Sequence, residues 1–214
     1  MVTAARRPLP LLLVAVLAGM VAAPAHAAFP GENGKILFQS GNDMRTMDPD
    51  GTNVQTVGPQ GLEPVWSADG QRIAFCTTGR KLRVMDADGG NVSADLTSFC
   101  GQPAWSPDGT MIAYLALGGG LHVVNLAGGD RALTTPPGGS FDNEPAWSPG
   151  GSTIAFERDF SSPVANDDIY VVPAGGGTAT PVNGAASADL ERGATWSPDG
   201  ASIAFVRDNN DGNC

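Results

Sequence analysis

Hydrophobic and polar residues alternate in two different ways along this chain. From Leu9 to Val21 the sequence is almost wholly apolar. From about residue 34 onward, apolar residues come in short bursts separated by glycine, proline and aspartate. No burst keeps the i, i+3, i+4 spacing of an amphipathic helix, and each has the length of a strand. The bursts also recur in a fixed order. A tryptophan closes one burst and a Ser-Pro-Asp-Gly-like turn follows it. Then come the triplets Ile73-Ala-Phe75, Ile112-Ala-Tyr114, Ile154-Ala-Phe156 and Ile203-Ala-Phe205. A further strand follows as Met44-Arg-Thr-Met47, Leu82-Arg-Val-Met85, Leu121-His-Val-Val124 and Ile169-Tyr-Val-Val172. A Gly-rich turn and a short last strand complete the unit.

The tryptophan phrase occurs four times: Glu63-Pro-Val-Trp66-Ser-Ala-Asp-Gly70, Gln102-Pro-Ala-Trp105-Ser-Pro-Asp-Gly109, Glu144-Pro-Ala-Trp147-Ser-Pro-Gly-Gly151 and Gly193-Ala-Thr-Trp196-Ser-Pro-Asp-Gly200. All 4 tryptophans of the chain lie in it. Proline presets φ at the first central position of a type I turn, aspartate tolerates the second, and glycine takes the left-handed residue. Each phrase therefore predicts a hairpin between the tryptophan strand (A) and the Ile-Ala-Phe strand (B), and the Gly-rich turns predict a second hairpin between strands C and D. A four-stranded sheet with two apolar faces cannot bury both alone. Radial stacking buries them, which predicts an all-β β-propeller. The recurrence of the tryptophans implies a packing role rather than sugar stacking.

Pro-x-Trp-Ser-Pro-Asp-Gly-x-x-Ile-Ala-Phe resembles the WD-like repeat of TolB-type propellers, and the resemblance runs from about Phe29 to the C-terminus. It implies blades of four antiparallel strands in a six-bladed ring. The segment around Ile36-Leu-Phe38 lacks a preceding tryptophan phrase, and the chain stops after the A and B strands of its last unit. The expectation is about four and a half blades of an incomplete six-bladed ring, a C-terminally truncated member. The alternative is a four-bladed ring closed by residues 194–197 completing the first blade.

The first residues set the compartment. Arg6 and Arg7, the apolar run and Ala25-His26-Ala27 read as a secretory signal peptide cleaved near Ala27. The apolar run is shorter than the roughly 20 residues that span a bilayer. The domains expected are thus 1–27, signal peptide, and 28–214, propeller repeats, with secreted or periplasmic localisation and no membrane span after cleavage.

Composition narrows function. The 29 glycines and 17 prolines argue against helical bundles, and a net charge of −10 argues against nucleic acid. Cleavage would leave His122 as the only histidine, at the strand position shared with Arg45, Arg83 and Tyr170, which reads as structural. No Gly-x-Ser-x-Gly elbow occurs. Catalytic and cofactor-binding residues are accordingly expected to be none.

The B–C and D–A connections should share one face of the disc. They hold the candidate partner-binding acids Asp43, Glu63, Asp142, Glu144, Asp159, Asp167, Asp168 and Asp208. Such a rim would attract a basic peptide or a divalent cation. The segment from Asp208 to Asn213 fails the EF-hand pattern, because Gly212 falls at position 5. That leaves calcium only as a non-EF-hand alternative. Cys76 and Cys100 should emerge on the same blade face and form a disulfide. The leading expectation is a non-catalytic binding module for a protein or peptide partner, in keeping with the envelope-associated interactions that a resemblance to TolB implies. The alternatives are the propeller gate of a serine peptidase and a carbohydrate-binding propeller.

Overall fold

A computed structural model of the chain describes residues 34–160, 166–183 and 189–208. The signal-peptide segment, Asp211 and Cys214 lie outside the described residues. No helix occurs among those described, and the strands form five separate antiparallel sheets. The first holds β1 (Ile36–Ser40), β2 (Asp43–Met47) and β3 (Gln55–Thr56). The second holds β4 (Leu62–Trp66), β5 (Arg72–Cys76) and β6 (Leu82–Asp86). The third has four strands: β7 (Gly101–Trp105), β8 (Met111–Leu115), β9 (Leu121–Asn125) and β10 (Asp130–Ala132). The fourth has β11 (Ser140–Trp147), β12 (Thr153–Phe160), β13 (Asn166–Pro173) and β14 (Thr180–Pro181). The fifth holds β15 (Leu190–Trp196) and β16 (Ile203–Asp208). Each sheet follows chain order strand by strand, as propeller blades do.

Two expectations change. The four-bladed alternative required residues 194–197 to join the first blade, but β15 pairs with β16 in its own sheet and β1 pairs with β2. The second unit also lacks a fourth strand. Its outer segment bonds β6 through Ser93 N–H to Val84 O and Leu96 N–H to Leu82 O. The Ser93 and Thr97 hydroxyls accept from the Val84 and Leu82 amides in place of ladder carbonyls. Serine and threonine side chains compete with regular pairing in this way.

The tryptophan hairpins form as the phrase predicts. In all four, the glycine N–H donates to the serine carbonyl at 2.8–2.9 Å. Gly70, Gly109, Gly151 and Gly200 have φ between +66° and +70°. The Ser67, Ser106 and Ser197 hydroxyls each donate to the turn aspartate at 2.6 Å.

In the second, third and fourth blades the triplet residues are buried on both sides of the strand, which explains why they read as an unbroken apolar run; in β16, Ile203 and Phe205 are half-buried and Ala204 is exposed. In β5, Ile73 and Phe75 pack towards Met44 and Val57 of the first blade. Ala74 and Cys76, pointing the other way, pack with Trp105, Ile112 and Tyr114 of the third. The third and fourth blades meet through Ala113, Leu121, Val123, Ile154 and Phe156. Cys76 and Cys100 are disulfide-bonded with Cα atoms 5.6 Å apart. A loop of this size gives roughly 3–4 kcal/mol in the chain-entropy account.

Three of the four tryptophans tie their blade to the one before. The indole N–H of Trp105 donates to Val65 O at 3.3 Å, that of Trp147 to Ala104 O at 3.0 Å, and that of Trp196 to Ala146 O at 3.0 Å. Each acceptor immediately precedes the tryptophan of the previous blade: Val65 before Trp66, Ala104 before Trp105 and Ala146 before Trp147. Trp66 Nε1 is buried without a partner among the described residues. Trp147→Phe keeps an aromatic ring and leaves the Ala104 carbonyl without its donor. It should destabilise the protein by about 1 kcal/mol more than Trp66→Phe. Urea unfolding of the two variants measures the difference, and equal losses would show that the indole bond contributes nothing.

Candidate functional site at the mouth of the central channel

The innermost strands β4, β7, β11 and β15 neighbour one another in sequence order. Each carries the same bulge. Leu62 pairs with Cys76 and Val65 with Ala74, so Glu63-Pro64 opposes a single residue, Phe75. Gln102-Pro103, Glu144-Pro145 and Gly193-Ala194 sit in equivalent shifts. The first bulge residue is left-handed each time: φ is 53° at Glu63, 48° at Gln102, 50° at Glu144 and 64° at Gly193. For a non-glycine residue this conformation costs roughly 1–2 kcal/mol. In three bulges the second residue is proline, which has no N–H to leave unpaired.

The first bulge residue does have an N–H, and the preceding blade supplies its acceptor. Gln39 Oε1 accepts from Glu63 N at 2.8 Å, Glu63 Oε2 from Gln102 N at 2.6 Å, and Gln102 Oε1 from Glu144 N at 3.0 Å. Gly193 N–H bonds to the Glu157 carboxylate. These bonds form a belt from blade to blade around the channel. Inside it lies a cavity of about 350 Å³ lined by Glu63, Pro64, Gln102, Pro103, Glu144 and Pro145.

The eight candidate acids do not form one exposed rim. Asp43 opens β2, half-buried, and pairs with Arg45 at 3.3 Å. Glu63 sits at the channel mouth and also pairs with Arg80 at 3.1 Å. Glu144 lines the same mouth and is exposed. Asp159 is half-buried within β12, and Asp208 is exposed at the end of β16.

Asp142, Asp167 and Asp168, expected in connecting loops, lie instead inside β11 and β13 and are buried. The reason is strand length: the hairpins of the fourth blade continue past the triplet, pairing Asp142 with Arg158 and Arg158 with Asp168 in register. Asp142 is 0% exposed and takes both arms of the Arg158 guanidinium at 2.6 and 2.9 Å. Arg158 also stacks 4.6 Å from the Tyr170 ring. Asp167 accepts from Arg192 Nε at 2.6 Å. Removing one partner of the buried Asp142–Arg158 pair costs roughly 3–5 kcal/mol, so Asp142 is an internal counter-charge; the Arg192 end of the Asp167 pair is exposed and screened by solvent.

Three residues at the mouth escaped the sequence reading. Gln39 and Gln102 are neutral and carry no charge signal. Glu157 follows the Ile-Ala-Phe triplet at the position that Gln39 holds in the first blade, and comparing repeat positions would have found both. Burial first, then the Glu144 and Asp167 carboxylates, push Glu157 up from 4.5 to about 7, opposed by Arg192 and the Gly193 N–H.

His122 lies elsewhere, with Nδ1 3.1 Å from Asp130, which also accepts from the Tyr114 hydroxyl at 2.8 Å. Burial and Asp130 raise the Tyr114 pKa, so the phenol stays protonated. No group of three or more His, Cys, Asp or Glu side chains suited to a metal ion occurs among the described residues. No helix among them is long and apolar enough to cross a membrane.

Stacked antiparallel blades of up to four strands around a bulge-lined channel define a β-propeller. The family model described as the TolB beta propeller domain matches residues 28–212, and the chain belongs to that family. Among solved structures, the chain is similar to the proposed TolB of Agrobacterium tumefaciens (20% identity, 83% of this chain and 67% of that one, TM-score 0.67). It is also similar to the tricorn protease (15% identity, 82% of this chain and 18% of that one, TM-score 0.63). A third likeness is to oligogalacturonate lyase in complex with manganese (19% identity, 78% of this chain and 51% of that one, TM-score 0.56). At these identities the likenesses speak to fold alone. No curated protein matches the sequence.

A raised carboxyl pKa makes stability depend on pH. The unfolded Glu157 carboxyl ionises near 4.5 and the folded one near 7. Its stabilising contribution is therefore complete below pH 4.5 and is lost as pH rises through 7. Glu157→Gln keeps an acceptor for the Gly193 N–H and removes the charge. It should flatten the pH dependence of the melting temperature between about pH 4.5 and 7 and raise that temperature at pH 8. An unchanged profile would show that Glu157 titrates normally.

Proposed function

We propose that the chain is a non-catalytic, secreted or periplasmic binding module whose channel mouth receives a protein or peptide partner. The carrying observation is the cavity of about 350 Å³ inside the bulge belt, lined by carboxylate, amide, proline and small apolar side chains. Among the described residues, its lining includes no hydroxyl, thiol, imidazole or cationic group. Glu63 is already engaged by Arg80 and the Gln102 amide, so Glu144 is the carboxylate most open to a ligand. A single-sign concave mouth with rigid walls favours a cationic peptide segment.

Two observations support the compartment. The family match starts at residue 28, directly after the small-residue site Ala25-His26-Ala27. The Cys76–Cys100 disulfide suits an oxidising environment. In this reading a signal peptide is removed near Ala27, and the partner is a protein or peptide encountered in the cell envelope or outside the cell.

The peptide Ac-Lys-Lys-Ala-Lys-Lys-amide should bind the purified chain in calorimetric titration. Glu144→Gln should weaken that binding roughly fivefold or more, as should raising the salt from about 0.05 to 0.3 M. Equal binding of the corresponding Glu peptide, or an unaltered affinity in Glu144→Gln, would contradict the proposal.

A further inference from the structure

The repeat allows one inter-blade groove to be compared with the next, at the turn end of the innermost strands. Between the second and third blades, Arg72 crosses the gap from the first position of β5. Its guanidinium lies 4.9 Å from the centroid of the Trp105 ring, and Nη2 donates to Gly109 O at 2.9 Å. Trp105 is only 6% exposed. Between the third and fourth blades the equivalent positions are Met111, Trp147 and Gly151. Gly151 is in the same turn, with φ of 70° against 66° at Gly109. Met111 has no donor and is 38% exposed, and Trp147 is only partly buried. The space that Arg72 fills in one groove is an open cavity of about 510 Å³ in the next, lined by Met111, Trp147, Gly151 and Asp108 among others.

We propose that this groove binds an arginine side chain of a partner protein, its guanidinium taking over Trp147 and Gly151 the place that Arg72 takes over Trp105 and Gly109. The chemistry is that of a planar cation. The indole face attracts the guanidinium, and the turn carbonyl accepts one of its N–H groups. Asp108 adds a negative charge to the wall. Hydrogen bonds from the Ser106 hydroxyl first, then from Thr110, hold its carboxyl below the usual range and keep it ionised. The basic residue in the lining, Arg131, is already engaged: Nη2 donates to Ala174 O at 2.8 Å and Nη1 to Gly175 O at 3.2 Å. A lysine ammonium lacks the flat face that stacks on indole, so the groove should favour arginine over lysine. The site lies at the opposite end of the innermost strands from the channel mouth and stands independently of the reading given for that mouth.

The test titrates the full chain with N-acetyl-arginine amide while following the four indole N–H signals by NMR. Saturable shifts centred on Trp147, with a dissociation constant on the order of millimolar, are expected for one stacked guanidinium. N-acetyl-citrulline amide, the neutral isostere, should bind at least tenfold more weakly. Met111→Arg copies the Arg72 arrangement, so it should abolish binding and raise the unfolding midpoint. Asp108→Asn, at a turn position that is glycine in the next blade, should weaken binding several-fold. Equal binding of the citrulline compound, shifts that avoid Trp147, or full binding in both variants would overturn the proposal.

Discussion

The third, fourth and fifth blades of this propeller are each tied to the one before by a tryptophan N–H that reaches a backbone carbonyl one position before the preceding tryptophan. A four-stranded sheet with apolar residues on both faces has no stable existence alone, so everything else rests on this stacking. The indole sets the spacing between innermost strands. That spacing then lets alternate residues of a single strand, such as Ile73 and Ala74, serve two different interfaces. The Ser-Pro-Asp-Gly turn fixes where the indole emerges, because it sets the strand end from which tryptophan projects.

The same stacking makes the channel mouth a rigid site. A left-handed residue on an inner strand turns its N–H out of its own ladder, and only the neighbouring blade can accept it. Gln39, Glu63, Gln102 and Glu157 fill that role in succession. Three prolines complete the bulges without adding an unpaired donor. The side chains at the mouth are therefore divided between holding the ring and facing the channel. Glu63 is largely committed to the first role, whereas Glu144 is exposed. In the fourth blade, longer strands draw Asp142 and Arg158 into a buried pair and bury Asp167 and Asp168, and part of what resembled an acidic surface becomes internal structure.

The fold was far more legible than the site. Turn chemistry and the tryptophan phrase are local, repeated and independent of distant contacts, so strand order and the TolB-type architecture could be read directly. Cysteine placement followed from that topology, since the end of β5 and the loop after the second blade emerge together. Charge was legible as a total but not by position. Asp142 reads as a loop residue because Phe141-Asp142-Asn143 is polar for a strand, and only the opposing Arg158 reveals an extended, buried hairpin. Gln39, Gln102 and Glu157 act through a tertiary neighbour, which no local pattern signals. The uncovered Trp147 face became visible only on comparing Arg72 with Met111 across adjacent grooves.

The bulge amides are satisfied by the adjacent blade. Residue-resolved hydrogen exchange by NMR tests this at Glu63, Gln102, Glu144 and Gly193. These four amides should exchange as slowly as ladder amides of β5 and β8, although they belong to bulges lining an open channel. Exchange at the rate of exposed loop amides would show that the belt does not form in solution and that the channel mouth is not rigid.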